Sequence, residues 1–598
     1  MRLSLAVLCL LTACSNPSAL QEGRDAAALA PEAASGLSEK TGWAYRRQAV
    51  AAAHPLASEA GLQMLRAGGS ALDAAIAVQL VLGLVEPQSS GIGGGAFLLH
   101  FDGREVTAHD GRETAPAKAR PEMWLGEDGK PLSFDEAVLS GQSVGVPGAL
   151  RMLEAAHRQH GLLPWARLFA PAIALAENGF EVSPRLHTLL QADPHLRKDP
   201  LALRFFYNAQ GQAWPVGHVL RNPEYAQVLR RMAAEGSRAL HEGPVAQAIV
   251  ARAAQPPRPG ALSLQDLQGY QPRARQALCF EHRVQARAYR ICGFPPPSSG
   301  QIAIGQILGL LAHTAAQGPE WSNGLPSADF LHRYTEASRL AFADRAQHVA
   351  DPDFVSAPAG DWRSLLDPDY LRQRSQRIGA ESMKVAPAGQ PAGWKTSYAP
   401  MPAQPEYGTS HISVIDAQGR AVAMTTTIEA AFGARRMVST DPGRPGGFLL
   451  NNQLTDFSFA PADAQGRPIA NRVEPGKRPR SSMSPTLVFD AANGQLLMSG
   501  GSPGGALIIH YTAKLLWGTL HAGLDAQQAI NLPNFGSLNG PTLLEAGRFE
   551  PRLLDALKAR GHEVREMDMT SGLQAIERRP TGWFGGADPR REGVVRGD

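Results

Sequence analysis

Apolar and polar positions fall into three regimes along the chain. Leu3 to Leu11 is a short, mostly apolar run behind Arg2, closed by Leu11-Thr12-Ala13-Cys14. Residues 15–42 are Ala, Ser, Pro and Glu with scarcely any large apolar residue, the composition of a flexible tether. Periodic signals begin near Tyr45. A helical stretch opens at His54-Pro55-Leu56-Ala57, and Ala71 to Leu84 reads as a second, strongly apolar helix. Segments 142–157, 164–178, 223–235 and 326–348 read as amphipathic helices, and strand patterns lie near 96–107 and 278–292, becoming denser after 409. Helices dominate the first two-thirds and strands the last third, with no internal repeat. That order predicts an α/β (α+β) sandwich with sheet in the middle and helices outside.

The leading apolar run is too short to span a bilayer and reads as a signal segment over residues 1–14. Its closing cysteine allows two outcomes: a lipoprotein box that makes Cys14 the lipidated N-terminus, or a plain signal peptide with a chance cysteine. The Leu-Thr-Ala-Cys order and the polar stretch behind it favour lipidation. The chain is then expected to be exported to the periplasm or cell envelope, touching membrane only through a lipid anchor. Of the four cysteines, Cys279 and Cys292 remain to form a disulfide across a hairpin-like alternation, or to stay as buried thiols. Two cysteines fall short of a metal-ligand set, and no cofactor is expected. Hydrophobic residues at 43%, charged residues at 19% and a net charge of +3 exclude wholesale disorder. With no basic stripe interleaved with aromatics, nucleic acid is not a partner.

Ser89-Ser90-Gly91-Ile92-Gly93-Gly94-Gly95-Ala96 loosely matches a dinucleotide fingerprint. That fingerprint needs a strand before it and a helix after it, so that the helix N-terminus holds pyrophosphate. Here an apolar helix precedes and a strand follows. A tight backbone turn packed against another element is the better account.

The most specific chemistry lies at 408–429. Two β-rich runs flank Ala417-Gln418-Gly419, a three-residue hairpin loop with glycine at its left-handed position. Asp416 then pairs with Arg420, and counting outward sets Thr409 opposite Thr427 on one face, with β-carbons about 5 Å apart. One hydroxyl can then hydrogen-bond the other. If the Gly408–Thr409 peptide breaks, Thr409 gains an α-amine of pKa about 8, able to act as base for its own hydroxyl. A threonine-rich strand is the bland alternative, because threonine suits strands anyway.

Other motifs carry a resemblance: Glu86-Pro87-Gln88-Ser89-Ser90-Gly91-Ile92-Gly93-Gly94-Gly95, Arg112-Glu113-Thr114-Ala115-Pro116, Pro295-Pro296-Pro297-Ser298-Ser299-Gly300 and Thr409-Ser410-His411. They continue with Leu450-Asn451-Asn452-Gln453-Leu454-Thr455-Asp456-Phe457, Lys477-Arg478-Pro479-Arg480-Ser481-Ser482-Met483-Ser484-Pro485-Thr486 and Gly501-Ser502-Pro503-Gly504-Gly505. In order and spacing the chain from residue 45 on resembles the γ-glutamyltranspeptidase family of N-terminal nucleophile hydrolases. The resemblance implies a four-layer αββα sandwich, made as one chain and cleaved autocatalytically between Gly408 and Thr409. Residues 43–408 would form a large subunit and 409–598 a small catalytic one, held together as a heterodimer. The implied reaction removes a γ-glutamyl group from glutathione or another γ-glutamyl donor and passes it to water, an amino acid or a dipeptide acceptor.

By the same resemblance Thr409 is the nucleophile, Thr427 its hydrogen-bond partner, and Gly504 and Gly505 the oxyanion hole, where missing side chains leave N–H groups open. Arg112, Ser481 and Ser482 would hold the substrate α-carboxylate, and Asp456, Gln453 and Glu429 its α-ammonium. Taken singly, Arg112 reads as a surface ion pair, Ser481-Ser482 as turn residues and Asp456 as a cap. Glu429 departs from the asparagine of several family members. The stretch between Asp456 and Ser481 is the candidate lid, and residues 439–446 look like an insertion. Three rivals remain: an acylase of the same family acting on glutaryl side chains of β-lactams, transfer of poly-γ-glutamate at the cell surface, and a non-catalytic surface lipoprotein. Retention of Asp456 argues against the first, and retention of Thr409, Arg112 and Gly504 against the last.

Overall fold

Strand residues alternate between two different cores, and that alternation builds the layers. Val50, Ala52, Leu98, Ile412, Val414, Val422 and Met424 pack into one core with the helices Pro55–Arg66 and Ala71–Val85. Their neighbours Ala49, Ala51, Phe97, Leu99, Ala421 and Ala423 face the opposite way and meet Leu487, Phe489, Leu496, Ile576 and Trp583 of a second sheet. The outer face of that second sheet, with Ile291, Val488, Met498 and Ala575, packs on the helices Gly300–Ala312, Ala328–His348 and Ile508–Leu520. Period-2 side chains on strands covered on both faces thus give helix, sheet, sheet, helix. The expected αββα sandwich is the observed one.

The chain is seen here as a computed structural model that describes residues 34–598 apart from 317, 323, 396 and 397. The first seven-stranded sheet runs Val594–Gly597, Ala49–Ala52, Ser410–Ile415, Ala421–Thr427, Gly95–Phe101, Val106–Gly111, Arg273–Gln276. The second runs Trp43–Tyr45, Gly582–Ala587, Gln574–Arg579, Leu496–Gly501, Thr486–Asp490, Arg287–Gly293, Leu278–Val284. Among the described residues no helix is long and apolar enough to cross a membrane.

Several expected elements are redrawn. The strand near 96–107 is two strands, because Gly103 at φ +104° turns the chain between Phe101 and Val106. The helix expected over 142–157 starts only at Ala149, since Pro147 and Gly148 interrupt the run behind a short turn at Gly141–Ser143. Helix Pro223–Glu235 has the predicted bounds, set by Asn222 capping Tyr225 N and Gly236 at its end. Cys279 and Cys292 sit directly opposite in the hairpin Leu278–Val284/Arg287–Gly293 and are disulfide-bonded.

Cys14 and the start of the expected tether lie outside the described residues. The end of that tether is corrected: Ser35 N and Ser38 N donate to Arg590 O and Pro589 O, and Lys40 Nζ to three carbonyls at Asp588, Arg591 and Gly593. Residues 35–40 are docked on the C-terminal segment because its carbonyls satisfy them. The insertion at 439–446 also has a seat. Thr440 and Arg444 both bind the buried Glu224 carboxylate, and Gly447 N donates to Asn222 Oδ1.

Candidate active site

The hairpin at 410–427 has the predicted register, with Ser410 opposite Thr426 and Ile415 opposite Ala421. Gly419 takes φ +80° at the turn. Thr409 and Thr427 lie just past the ladder, both buried at 2% exposure. One expectation is corrected. Thr427 Oγ1 donates not to Thr409 but to the Gly408 carbonyl, at 2.6 Å. Thr409 Oγ1 contacts that same carbonyl oxygen. With the peptide intact, the Gly408 carbonyl is the acceptor both hydroxyls reach. Thr427 Oγ1 in turn accepts from Glu429 N at 2.8 Å, which aims its proton at Gly408.

The glycine-rich loop explains why Thr427 is where it is. A Cβ on Gly94 would lie 2.1 Å from Thr427 O, and one on Gly93 2.2 Å from Leu449 O. Only glycine permits this backbone approach. Asn451 N and Nδ2 both donate to Gly93 O, tying the loop to the 451–456 turn. Close packing, not phosphate binding, is its role.

A small pocket beside Thr409 is lined by Arg112, Thr427, Glu429, Gln453, Asp456, Ser481, Ser482 and Gly505, together with Glu406, Tyr407, Met483 and Ile508. Nearly every residue singled out in the sequence is thus in one place. Gly504 stands next to Gly505 at φ +134°, with the Tyr511 ring 2.5 Å from where its Cβ would be. The pocket has little free space because the segment before Gly408 runs through it. A Cβ on Gly505 would lie 1.9 Å from Glu406 O.

Arg112 is fully buried, not a surface residue. Its Nη2 binds Asp456 Oδ2 and Arg480 O, and its Nε binds Pro479 O at 3.2 Å. Asp456 also accepts from Gln453 Nε2 at 2.7 Å. Buried atoms here lack hydrogen-bond partners among the described residues: Arg112 Nη1, Gln453 Oε1, Asp456 Oδ1 and both Glu113 oxygens. Arg112 Nη1 and Glu113 Oε2 face each other as an ion pair at 3.8 Å; buried polar atoms without hydrogen bonds are costly, and this set combines a guanidinium donor with amide and carboxylate acceptors. It suits a zwitterion.

Glu429 sits at φ +74°, in the left-handed region, where its carboxylate accepts from Tyr407 N at 3.0 Å and from Asn452 Nδ2. Burial, reinforced by Asp456, raises the Glu429 carboxyl to about 8. Burial also raises Glu113 to about 8, with Arg112 opposing. His411 points into the core between Thr425 Oγ1 and Ser413 Oγ, and burial lowers its pKa to about 3. Neither ring nitrogen is hydrogen-bonded to Thr409 or to the Gly408 carbonyl among the described residues.

The candidate lid is fastened. Phe459 packs on Trp124 and Phe134, Ile469 and Val473 are buried, and Asn471 bridges Asp456 O and Arg480 N. It forms a wall. The sequence reading missed Arg345, Glu406 and Glu113. Arg345 Nη2 binds Glu406 Oε1 at 2.6 Å, and Ser482 Oγ binds Glu406 Oε2 at 2.6 Å. Proximity of Glu406 to the Gly408–Thr409 peptide was its only signal. A separate His332, Glu336 and His562 cluster is the one grouping of metal-ligand type among the described residues. A hydrogen-bond chain through Thr542, His562, His332 and Gly379 O occupies its ring nitrogens, and Arg339 pairs with Glu336.

The family model described as Gamma-glutamyltranspeptidase matches residues 57–597. The chain belongs to the gamma-glutamyltranspeptidase family. It is 33% identical over 561 residues to the glutathione hydrolase proenzyme of Bacillus subtilis (strain 168), covering 92% of this chain and 91% of that one. It is 35% identical over 568 residues to the Acylase ACY 1 proenzyme of Pseudomonas sp. (strain V22), covering 93% and 94%. Among solved structures it resembles cephalosporin acylase from Bacillus halodurans, with TM-score 0.77, 26% identity and coverage of 94% and 97%. This family membership makes the chain an enzyme of the N-terminal nucleophile hydrolase kind. Glutathione hydrolases and acylases of the family therefore stand at similar distance from it.

Proposed function

We propose that the chain cleaves itself between Gly408 and Thr409 and then removes γ-glutamyl groups from glutathione and related amides. The observation that supports this most directly is the Gly408 carbonyl, which accepts the Thr427 hydroxyl at 2.6 Å while the Thr409 hydroxyl touches it. Thr427 polarises the carbonyl. Thr409 Oγ1 attacks its carbon, the C–N bond breaks, and the hydroxyl proton ends on the departing nitrogen, which becomes the α-amine of Thr409. Water then hydrolyses the resulting ester, leaving a Gly408 carboxylate and a free Thr409 hydroxyl. Residues 43–408 and 409–598 would remain together as large and small subunits.

In the second reaction the α-amine takes the Thr409 proton as Oγ1 attacks the donor's γ-carbonyl. N–H groups at Gly504 and Gly505 face the developing oxyanion. The amine product leaves with that proton, and water or an acceptor amine releases the glutamyl group. Asp456, Gln453 and Glu429 would hold the substrate ammonium, and Arg112, Ser481 and Ser482 its carboxylate. An acylase acting on glutaryl groups is the second reading, favoured by the acylase relatives and disfavoured by the ammonium acceptors Asp456 and Gln453. A substrate without the ammonium leaves Asp456 Oδ1 and Gln453 Oε1 without a hydrogen-bond partner. Export, with lipid on Cys14, is the proposed setting.

A γ-glutamyl anilide and a glutaryl anilide, each with and without a dipeptide acceptor, test the choice. The γ-glutamyl donor is expected to react and the glutaryl donor not; the reverse order would make the protein an acylase. Thr409→Ala is expected to stay one polypeptide and turn over neither. An uncleaved protein with full activity would overturn the mechanism.

A further inference from the structure

Glu406, three residues before the scissile bond, carries a negative charge into the pocket, and its surroundings are built for a carboxylate. Oε1 accepts from Arg345 Nη2 and Oε2 from Ser482 Oγ, each at 2.6 Å. Arg480 Nη2 lies 4.0 Å from Oε1. The receiving groups are themselves fixed. Arg345 Nε donates to Ser299 Oγ at 2.8 Å, its Nη2 also reaches Ser482 Oγ at 2.6 Å, and its carbonyl accepts from Arg480 Nη1 at 3.2 Å. Both arginines are buried. Burial would raise the Glu406 pKa, but Arg345 and Arg480 outweigh it and hold the group below the usual glutamate range.

Arg112, by contrast, is largely engaged. Nε and Nη2 are bound to Pro479 O, Arg480 O and Asp456, and Nη1 lies 3.8 Å from Glu113 Oε2, so a carboxylate can claim only Nη1, beside Glu113, unless Asp456 lets go. The pair of arginines around Glu406 is the stronger anion site. Removing Glu406 would leave two buried cations without a carboxylate in contact, a costly state. Cutting the Gly408–Thr409 bond frees the end of the segment that holds Glu406 in place.

We propose that Arg345, Arg480 and Ser482 form a carboxylate subsite that Glu406 fills in the uncleaved chain and that, once the chain is cut, receives the substrate carboxylate beside Arg112. The ligand class is a carboxylate-bearing acyl group, with glutamyl and glutaryl as the two carriers. Glu406 is thus a built-in occupant that keeps the site closed until Thr409 is released. Occupation after cutting rests on the proposed function, whereas the subsite itself can be tested without turnover.

Two experiments decide it. In uncleaved Thr409→Ala protein, Glu406→Ala removes the side chain beyond Cβ and opens the carboxylate position to a short-chain carboxylate, with propionate as the probe. Calorimetric titration should show propionate binding Thr409→Ala/Glu406→Ala at least about tenfold more tightly than Thr409→Ala alone, the ratio one lost charge-assisted contact produces. Propionamide should not bind, and adding Arg345→Met should abolish the gain. If Glu406→Ala folds poorly, propionate should raise its Tm, and Glu406→Gln, which keeps the shape, should lower Tm less. Equal propionate affinity with and without Glu406, or a gain that survives Arg345→Met, overturns the subsite. In cleaved protein, the ratio of kcat/KM for a γ-glutamyl anilide over a 4-aminobutanoyl anilide, which lacks only the carboxylate, should fall toward one in Arg345→Met and Arg480→Met. An unchanged ratio overturns the substrate role. If the cleaved protein hydrolyses neither donor, the γ-glutamyl reading fails while the propionate titration still judges the subsite.

Discussion

Thr427 and Glu113 show how single side chains set the chemistry. Thr427 is the only side-chain donor, besides Thr409 itself, that is hydrogen-bonded to the Gly408 carbonyl among the described residues. Thr427→Val keeps the shape and removes the proton, so self-cleavage should slow by roughly 10²–10³-fold, the cost of losing one donor to a developing oxyanion. Thr427→Ser should retain most of the rate, read as precursor remaining on a gel over time. Among the described residues neither Glu113 oxygen has a hydrogen-bond partner, Arg112 Nη1 lies 3.8 Å from Oε2, and burial lifts the Glu113 pKa to about 8. A carboxyl raised on folding supports the native state fully below its ordinary value of 4.5, and that support is lost as pH climbs through about 8. The Tm of uncleaved Thr409→Ala protein should therefore fall across that range, and adding Glu113→Gln should flatten the decline. A decline of unchanged slope would remove Glu113 from the account.

At the scale of elements, the glycine-rich loop and the hairpin act as one part. Gly94 presses on Thr427 O with no room for a methyl group, whereas the nearest atom to a Cβ on Gly91 is 4.0 Å away. Gly94→Ala should cost about 1–3 kcal/mol by overpacking and delay cleavage as well, because the strain falls on Thr427. Gly91→Ala should leave both Tm and cleavage rate close to the parent, measured by calorimetry and gel. These elements were largely legible in advance. Hairpin register follows from the loop length and Gly419, and the helix at Pro223–Glu235 from its caps. Boundaries at Gly103 and Pro147-Gly148 were missed because apolar periodicity ran through them, although the breaking residues were in view.

For the whole molecule, the position of strands from either side of residue 408 matters most. Ser410–Ile415 and Ala421–Thr427 lie between Ala49–Ala52 and Gly95–Phe101 in one sheet, and Thr486–Asp490 pairs with Arg287–Gly293 in the other. Cleavage removes one peptide bond and none of these ladders. The two parts should co-elute on size exclusion after complete cleavage and separate only under denaturant; dissociation in plain buffer would contradict the shared sheets. The sequence by itself determined the layered fold class and the Thr409–Thr427 register, because periodicity and turn length are short-range properties, while the motifs that line the pocket were legible only through the family resemblance. Tertiary structure alone decided that Arg112 is paired with Asp456, that Thr427 addresses Gly408, and that Glu406 lies between Arg345 and Ser482. Partners such as Arg112, just past strand Val106–Gly111, and Asp456, in the turn Gln453–Asp456, are 344 positions apart and meet only in the folded molecule, where three-dimensional proximity sets which buried charge answers which.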